Sequence, residues 1–452
     1  MNLLKDDIRK LYFKYFFPTM CAALSTSIYI LFDTIFIGQG VGGKGLTALN
    51  IVLPIYSIYF GTGLLVGIGG STLMSIEKGR GHEDKANKIF TLSFIFGLIL
   101  SIIYFVIGFV FLEEIARALG ATEEIMPLVK DYMIVVVIGT IPFVMGSVMA
   151  TFVRSDKAPK KDMFAVIFSG FLNIVLDYVL VFPLGMGMRG AAIATVFSYT
   201  VSCLILLTHL ISKNNTLKFK KGFYKLSYIK RIVKCGMPSL FIEVSVGFVV
   251  FIFNTQILKI IGDDGVTAYS IISNTGIIAV ALFNGISQTI QPLVSINMGA
   301  NLKERADKLK KLGLCTALVI GIAFFAICFI FPEQIVRVFV KPSTEVLAIA
   351  INSIRIYSFA FIIMGVNMVS GAYFQSVELA KESFIIAFCR GLLFVSISVF
   401  ILPIFLGING VWLSVPIGEI ITLIITVVFL RNMHKNTHFV KNTLKRWIKW
   451  VE

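Results

Sequence analysis

The sequence predicts an all-α polytopic membrane protein, with about twelve transmembrane helices in two homologous six-helix bundles. Three observations carry this prediction. The 452-residue chain is 57% hydrophobic and 15% charged, whereas soluble domains carry about 25% charged residues. Continuous apolar runs of ~20 residues recur, and each is long enough to cross a ~30 Å hydrocarbon core as a helix. The chain also matches itself at a constant shift of 220 residues.

The internal repeat extends over nearly the whole of each half. Its matched pairs include Pro18 and Pro238, Gly45 and Gly265, Ser75 and Ser295, Gly79 and Gly299, and Pro183 and Pro403. An even number of spans in each half gives both halves the same orientation. We therefore expect a pseudo-two-fold axis along the membrane normal.

The repeat divides the chain into four segments. They are an N-terminal six-helix lobe (1–212), a basic cytoplasmic linker (213–230), a C-terminal six-helix lobe (231–433) and an amphipathic cytoplasmic tail (434–452). Aromatic residues among the lysines of the linker predict a helix lying on the membrane surface, and Trp447 and Trp450 predict the same for the tail.

The net charge of +16 points to lipid rather than nucleic acid. Most of the Lys and Arg residues lie at the N-terminus, in the even-numbered loops and at the C-terminus, which predicts a cell-membrane protein with both termini in the cytoplasm and contacts with anionic lipids. The six cysteines lie in or beside apolar runs without a CxxC pair, and are expected to be small buried hydrophobes. We expect a monomer.

The segment GQGVGGKG, at residues 38–45, resembles a phosphate-binding loop. Position 45 is Gly, however, where such a loop needs Ser or Thr for Mg²⁺. The preceding run is long enough for a spanning helix rather than a strand. The repeat of Gly45 at Gly265 instead predicts an outer turn between the first two spans of each half.

Three acids lie within apolar runs: Asp33, Asp177 and Glu243. A carboxylate in hydrocarbon is costly, so each is a candidate functional residue. Asp33 and Asp177 both lie near the outer ends of outward-running spans, roughly 8–10 Å below the next turn at 1.5 Å per residue. Two acids at one depth of one lobe are expected to share a cavity.

Helical spacing supplies neighbours for this pair. Tyr29 precedes Asp33 by four residues, and Asn173 precedes Asp177 by four, which places each on the same helix face. The sixth span brings Thr195 to a similar depth. This oxygen-rich cluster would hold a small cation such as Na⁺, or share protons; a structural hydrogen-bond network is the alternative. At the repeat shift Asp177 falls on Ile397, so the acidic cluster is not repeated in the C-terminal lobe. A purely architectural network would be expected in both lobes.

Other polar residues of the spans are assigned to the substrate pathway or to hinges. The pathway candidates are Glu243, Asn254 (the repeat partner of Asp33 with a one-residue gap), Gln288 and Gln291, and the hinge candidates are Pro18, Pro238 and Pro292. A proline kinks a helix and frees a carbonyl, so a static kink is the alternative for these prolines. Glu378 and Glu419 are expected to be solvated, and Arg390 to pair or snorkel.

The sequence does not predict an enzyme. It has no GxSxG or HExxH motif, no His, Cys and Glu set at metal-ligand spacing, and no ATPase domain. We therefore expect no cofactor, with H⁺ or Na⁺ as the coupling ion of any active transport.

Four local segments resemble the multidrug and toxic compound extrusion (MATE) transporter family. They are DTIFIG after Tyr29, NIVLD at 173–177, GAAIAT at 190–195 and QPLVSINMGA at 291–300. The resemblance implies a cation or proton site at Asp33, Asn173, Asp177 and Thr195, with Tyr29 beside it. It also implies that Glu243 is similar to an acid that some members use on the seventh span.

The resulting expectation is a secondary antiporter that exports lipophilic, cationic drugs or toxic metabolites in exchange for H⁺ or Na⁺, by alternating access between two lobes. One alternative is a lipid-linked oligosaccharide flippase of related architecture, which would need a basic central cavity. An alternative of another class is a membrane receptor or channel.

Overall fold

The computed structural model describes residues 2–222, 225–339 and 344–435. All regular structure in these ranges is helical. The helices are α1 (Ile8–Gly40), α2 (Gly43–Gly79), α3 (Glu83–Val110), α4 (Leu112–Ala118), α5 (Met126–Ile138), α6 (Thr140–Ser155), α7 (Pro159–Val181), α8 (Gly187–Leu207), α9 (Leu226–Ile261), α10 (Asp263–Gly299), α11 (Lys303–Ile330), α12 (Pro332–Phe339), α13 (Thr344–Ser376), α14 (Ala380–Phe388), α15 (Phe394–Leu406) and α16 (Ile408–Lys435). A 3₁₀ turn, Thr208–Ile211, follows α8, and a π-helical turn, Cys389–Leu393, joins α14 to α15.

Twelve segments of the described chain can cross a membrane by length and composition. Eleven are helical spans, and the bent pair of α5 and α6, which meet at 49° across Gly139, makes the twelfth when counted as one. The predicted all-helical architecture of about twelve spans is confirmed. The segment boundaries at 212, 230 and 433 stay predictions.

The turns that open the two halves have the same backbone conformation. Gly42, between α1 and α2, has φ of 84°, and Gly262, between α9 and α10, has φ of 70°. Both values lie in a region that Gly adopts without the steric cost paid by other residues. Gly42 therefore lies in a helix-to-helix turn, where Lys44 pairs with Glu124 at 2.7 Å. This placement excludes the strand-to-helix context of a phosphate-binding loop.

The first helix of each half packs against the other half. Leu11 and Tyr12 of α1 are buried in one apolar cluster with Phe283 of α10. Ile232 of α9 is buried with Leu65 of α2 in another. The repeat shift relates α1 to α9 and α10 to α2, so these two contacts are pseudo-symmetric counterparts. The arrangement agrees with an axis along the bundle.

The two lobes meet closely at the end of the bundle that carries the N-terminus and the linker, here called the linker end. A Cβ built on Gly79 would lie 2.1 Å from the Ile296 carbonyl oxygen, and one built on Gly299 would lie 2.1 Å from the Ile76 carbonyl oxygen. The repeat shift of 220 residues converts each of these contacts into the other, because Gly79 corresponds to Gly299 and Ile76 to Ile296. Backbone touches backbone there, which only Gly permits.

The same interface, here called the lobe seam, continues toward the middle of the bundle. A Cβ on Gly69 would lie 2.1 Å from the Ile232 carbonyl oxygen. The hydroxyl groups of Thr19 on α1 and Thr289 on α10 lie 2.6 Å apart. In contrast, a Cβ on Gly276 of α10 would meet nothing within 4 Å. The lobes are thus in tight contact at the linker end.

The linker differs from its prediction. Residues 213–222 are not helical, and α9 begins at Leu226, so the expected surface helix is wrong for the described residues. Backbone amides of Lys218 and Lys220 instead donate to Asn87 and to Thr91 on α3. Tertiary partners therefore replace the helical hydrogen bonds. The tail, from residue 436 onward, lies outside the described residues.

Asp156 anchors the start of the linker. Its side chain is buried between α6 and α7, where Oδ1 accepts from Lys78 Nζ at 2.7 Å and Oδ2 lies 2.8 Å from His209 Nε2. Oδ2 also accepts from the Thr216 backbone amide at 2.9 Å. Burial by itself would raise the pKa of Asp156, but the bonds from His209 and Lys78 lower that pKa to about 2.

We expect Asp156→Ala to lower the free energy of unfolding by about 3 kcal/mol, because buried partners lose their counter-charge. The stabilisation by Asp156 is complete above its ordinary pKa of 3.8 and is lost as the pH falls through about 2. Thermal unfolding in detergent and limited proteolysis of the linker measure the effect. Glu123→Ala is the matched control, because it removes only an exposed ion pair with Arg117. A melting temperature equal to that of the control would contradict the anchoring role.

Candidate cation site

Asp33 and Asp177 lie beside each other between α1 and α7. Two close approaches hold these helices together: a Cβ on Gly40 would lie 2.2 Å from Val181 Cγ1, and one on Gly170 would lie 2.9 Å from the Tyr29 ring. The carboxyl groups of Asp33 and Asp177 are within electrostatic range of each other. Both acids lie in the half of the bundle away from the linker end.

Four buried oxygens of this site have no hydrogen-bond donor in the described part of the chain. They are Oδ1 of Asp33, both carboxylate oxygens of Asp177 and Oδ1 of Asn173. Asp177 is 0% exposed and Asn173 is 2% exposed. Two ionised carboxylates can only accept, so neither satisfies the other. A buried acceptor set of this kind calls for protons or a cation to neutralise it.

Asn173 and Thr195 complete the inner side of the site. Asn173 lies one helical turn before Asp177 on α7, and its Nδ2 donates to Thr195 Oγ1 on α8 at 3.4 Å. The amide thus adds an oxygen from α7, and the hydroxyl adds one from a third helix, α8. Within the described ranges, no three His, Cys, Asp or Glu side chains form a metal-ligating group. A cation here would therefore be held by two carboxylates with neutral oxygens, a set that suits a hard ion such as Na⁺.

Tyr29 joins the site through a partner that the sequence did not single out. Its hydroxyl lies 2.7 Å from that of Tyr199 on α8. Tyr199 follows Thr195 by four residues, so the helix-face rule applied to the acids would have found it. The five predicted cation-site residues, from α1, α7 and α8, are thus brought together.

Two further tyrosines complete the surroundings. The hydroxyls of Tyr56 on α2 and Tyr132 on α5 lie 3.3 Å apart, and both side chains are within electrostatic range of Asp33 and Asp177. No local pattern marks either residue, because their helices meet the acids only in the folded bundle. Tyrosines from α1, α2, α5 and α8 are therefore within electrostatic range of Asp33.

The predicted pathway residues are spread along the lobe interface. Glu243 on α9 faces Gly61 on α2, where a Cβ would lie 3.2 Å from the Glu243 Cβ. Gln291 is buried in the lobe seam, and its Nε2 donates to Thr72 Oγ1 at 3.4 Å. Asn254 and Gln288 are half-buried on α9 and α10. Of these four residues, Glu243 is within electrostatic range of Tyr199 beside the acids.

The predicted hinge prolines lie inside helices that continue past them. Pro18 is in α1, Pro238 in α9 and Pro292 in α10, and all three are buried. Pro18 and Pro238 occupy equivalent positions of the repeat. Their role as hinges stays a prediction.

Two acids that were expected to be solvated are paired instead. Glu378 accepts from Arg231 through both carboxylate oxygens, at 2.8 and 3.0 Å. Glu419 is 2% exposed and accepts from Arg390 at 2.9 Å. The solvated prediction is wrong for Glu419 because its basic partner comes from the neighbouring span, and the pairing expected of Arg390 is found.

The geometry defines a two-lobed helical membrane protein of the transporter type, with an acidic site in one lobe. The MatE family model matches the chain twice, over residues 18–179 and 238–400. The chain therefore belongs to the MATE family of transporters, and it is not an enzyme.

Characterised relatives agree with this membership. The multidrug export protein MepA of Staphylococcus haemolyticus is 24% identical over 417 residues, which cover 92% of this chain and 91% of the relative. MepA of Staphylococcus aureus is 23% identical over 423 residues, with 92% of each chain covered.

Solved structures show the same fold. A structure of MATE in complex with MaL6 superposes with a TM-score of 0.91 at 22% identity, covering 97% of this chain and 98% of the other. An outward-facing multidrug resistance MATE family transporter of the MOP superfamily superposes with a TM-score of 0.91 at 23% identity and the same coverage.

Proposed function

We propose that the protein is a secondary active antiporter of the cell membrane, which exports lipophilic cationic compounds in exchange for H⁺ or Na⁺. The observation that carries this proposal is the set of buried, unpaired oxygens at Asp33, Asp177 and Asn173. An ionised pair of this kind is costly in a membrane unless an ion binds. The export names of the MepA relatives support the direction and substrate class.

The coupling follows from differential ion binding. An ion at Asp33 and Asp177 neutralises the pair, so it stabilises whichever packing of α1 against α7 keeps the acids together. An ion can drive the cycle only if its affinity differs between the two states of the transporter. Asn173, Thr195 and Tyr29 are the further residues of this site.

Alternating access would use the lobe seam. The close approaches at Gly69, Gly79 and Gly299 seal the space between the two lobes at the linker end. Separation of these contacts would open that space, here called the cleft, to the linker side of the membrane. With the termini and the linker in the cytoplasm, as the distribution of Lys and Arg predicts, the present state would be closed toward the cytoplasm. Glu243, above the seam, would meet substrate in the cleft. The unit would be a monomer in contact with anionic lipids.

Transport in proteoliposomes tests the proposal. Purified protein is reconstituted, and export of a fluorescent lipophilic cation is measured under an H⁺ gradient alone, a Na⁺ gradient alone and neither. We expect one gradient to drive accumulation and the condition without a gradient to give only equilibration. Accumulation to the same level with the H⁺ gradient, with the Na⁺ gradient and with neither would overturn the antiport mechanism.

A further inference from the structure

Two equivalent turns of opposite charge lie at the outer end of the bundle, the end away from the linker end. Lys44 lies in the first turn of α2, and the repeat shift of 220 residues places Asp264 at the same position of α10, directly after Asp263. Residues 41–50 and 261–270 have the same order of buried, half-buried and exposed side chains. Two surfaces of one shape therefore carry a base on one half and two acids on the other.

A polar stripe runs along the helix from each of these turns. Its members are exposed polar side chains at a spacing of three residues: Lys44, Thr47 and Asn50 on α2, and Asp264, Thr267 and Ser270 on α10. Of the eleven helical spans in the described chain, α2 and α10 are the two most buried. Polar groups are costly against lipid. An exposed polar stripe on such an enclosed helix therefore lines the cleft.

The helical period directs both stripes toward the other half. Thr47 precedes Leu65 by 18 residues, or five turns, so the two lie on one line of α2. Leu65 touches the other half, because a Cβ on Gly236 of α9 would lie 1.9 Å from the Leu65 carbonyl oxygen. Thr267 has the same relation to Gly285, whose added Cβ would lie 3.1 Å from the backbone of α1. Each stripe thus continues the face along which its helix meets the opposite half.

The charges of the two turns do not meet in the present state. Lys44 Nζ pairs with Glu124 of its own lobe at 2.7 Å, and the two side chains are 66% and 69% exposed. Asp263 and Asp264 have no ion-pair partner in the part of the chain that the structure describes. An exposed ion pair contributes little stability. Lys44 can therefore exchange Glu124 for another acid at small cost.

The opposite ends of α2 and α10 show what closure of the outer end requires. At the linker end, Gly79 and Gly299 bring the two helices into backbone contact. At the outer end, a Cβ on Gly43 or on Gly262 would meet nothing within 4 Å. The same two helices run from one end to the other. Rocking of the lobes would therefore bring the outer turns together as the contacts at the linker end separate.

We infer that an electrostatic latch holds the two outer turns together when the linker end is open. In that state Lys44 leaves Glu124 and pairs with the two acids of the opposite turn, and the polar stripes form the contact between the lobes. Opposite charges across an interface fix its register and disfavour other pairings. The inference rests on the proposed alternating access and supplies the contact that closes the outer end.

Crosslinking of paired cysteines measures closure of the outer end. Thr47→Cys and Thr267→Cys are introduced together in a protein whose six native cysteines are serine. A short bifunctional maleimide is added to this protein in proteoliposomes without any gradient, and each single-cysteine variant gives the background. We expect crosslinking above that background. Gly79→Ala should increase its rate, because the added methyl group opposes the contact at the linker end.

Charge variants of the paired-cysteine protein test the latch itself. Lys44→Asp should lower the crosslinking rate about 2- to 5-fold, which is the range for one exposed ion pair. Addition of Asp263→Lys and Asp264→Lys restores opposite charges and should restore the rate. Glu124→Gln releases Lys44 from its present partner, so the rate should rise. A purely structural Lys44–Glu124 pair would not produce that increase.

Lys130→Asp is the matched control, because it disrupts another exposed ion pair of the same lobe, with Glu113, and should leave the crosslinking rate unchanged. Size-exclusion elution in detergent checks the folding of each variant. The inference would be overturned by absence of crosslinking even with Gly79→Ala, or by a rate that does not respond to the charge at position 44. The measurement needs neither substrate nor gradient. Failure of the unaltered protein to export would therefore contradict the proposed function while the crosslinking rates still decide the latch.

Discussion

Asp33→Asn is expected to abolish ion-coupled export while leaving the protein folded. Asn keeps nearly the same volume and a hydrogen-bonding group, but it cannot take up a proton or offer a full negative charge to Na⁺. Inward movement of one positive charge is worth ~2.3 kcal/mol per 100 mV, roughly a 50-fold concentration ratio. We expect that ratio to fall to about one in the variant.

Asn at position 33 should not disturb the fold. Asp33 Oδ1 has no donor to lose, and removing one charge from a close acidic pair relieves repulsion. The melting temperature should therefore stay the same or rise. Proteoliposomes under separate H⁺ and Na⁺ gradients measure export, and size-exclusion elution in detergent reports folding.

Asp131→Asn is the matched control for Asp33→Asn. It makes the same chemical change at an exposed residue of α5, outside the acidic site. Undiminished gradient-driven accumulation by Asp33→Asn would remove this residue from the coupling mechanism, and an equal loss in Asp131→Asn would show a general effect of charge.

Gly79→Ala is expected to open the lobe seam. The added Cβ would lie 2.1 Å from the Ile296 carbonyl oxygen and 2.8 Å from the Ala300 amide nitrogen. Both neighbours are backbone atoms, so they cannot rotate away as a side chain could. Overpacking of this kind typically costs about 1–3 kcal/mol, which would shift the ratio of closed to open seam roughly 5- to 150-fold. Export should fall because the cycle needs both states.

Cys235 provides a reporter for the seam. It is buried on α9 next to Gly236, where an added Cβ would lie 1.9 Å from the Leu65 carbonyl oxygen of α2 across the seam. In a background where the other five cysteines are serine, maleimide labelling of Cys235 should be faster in Gly79→Ala than in the parent. Gly299→Ala should act alike, because the repeat relates the two contacts.

Gly276→Ala is the control for the glycine substitutions. It adds a Cβ to α10 in open space, so labelling should not change, and helix propensity should give a gain of up to about 1 kcal/mol. Labelling of Gly79→Ala at the parental rate would mean that the seam absorbs the methyl group and does not gate the cleft.

Much of the acidic site follows from the sequence. Asp33 and Asp177 stand out because a charge inside an apolar run is rare, and four-residue spacing places Tyr29 and Asn173 on the same faces. Tyr56 and Tyr132 lie 76 residues apart in the chain, yet their hydroxyls meet beside the acids. No spacing rule predicts contact between such a pair, because the helical period relates only residues of the same helix.

The charged pair of the C-terminal lobe shows the opposite case. The prediction that Glu419 is solvated came from its assignment to the cytoplasmic end of the last span. Its environment depends on the π-helical turn, which rotates Arg390 from the lipid-facing side onto α16. A one-residue change of helical register leaves no hydropathy signal, so only the folded lobe shows it.

The sequence by itself determined the number of spans, the two-fold repeat and the acids of the first and fifth spans. Those properties arise from bilayer thickness and helical period, which act on contiguous residues. The tertiary structure decided the backbone contacts of Gly79 and Gly299, the non-helical conformation of residues 213–222 and the partner of Glu419. Each of these depends on groups from different helices, whose approach is set by side-chain volume and by the need to satisfy buried polar atoms.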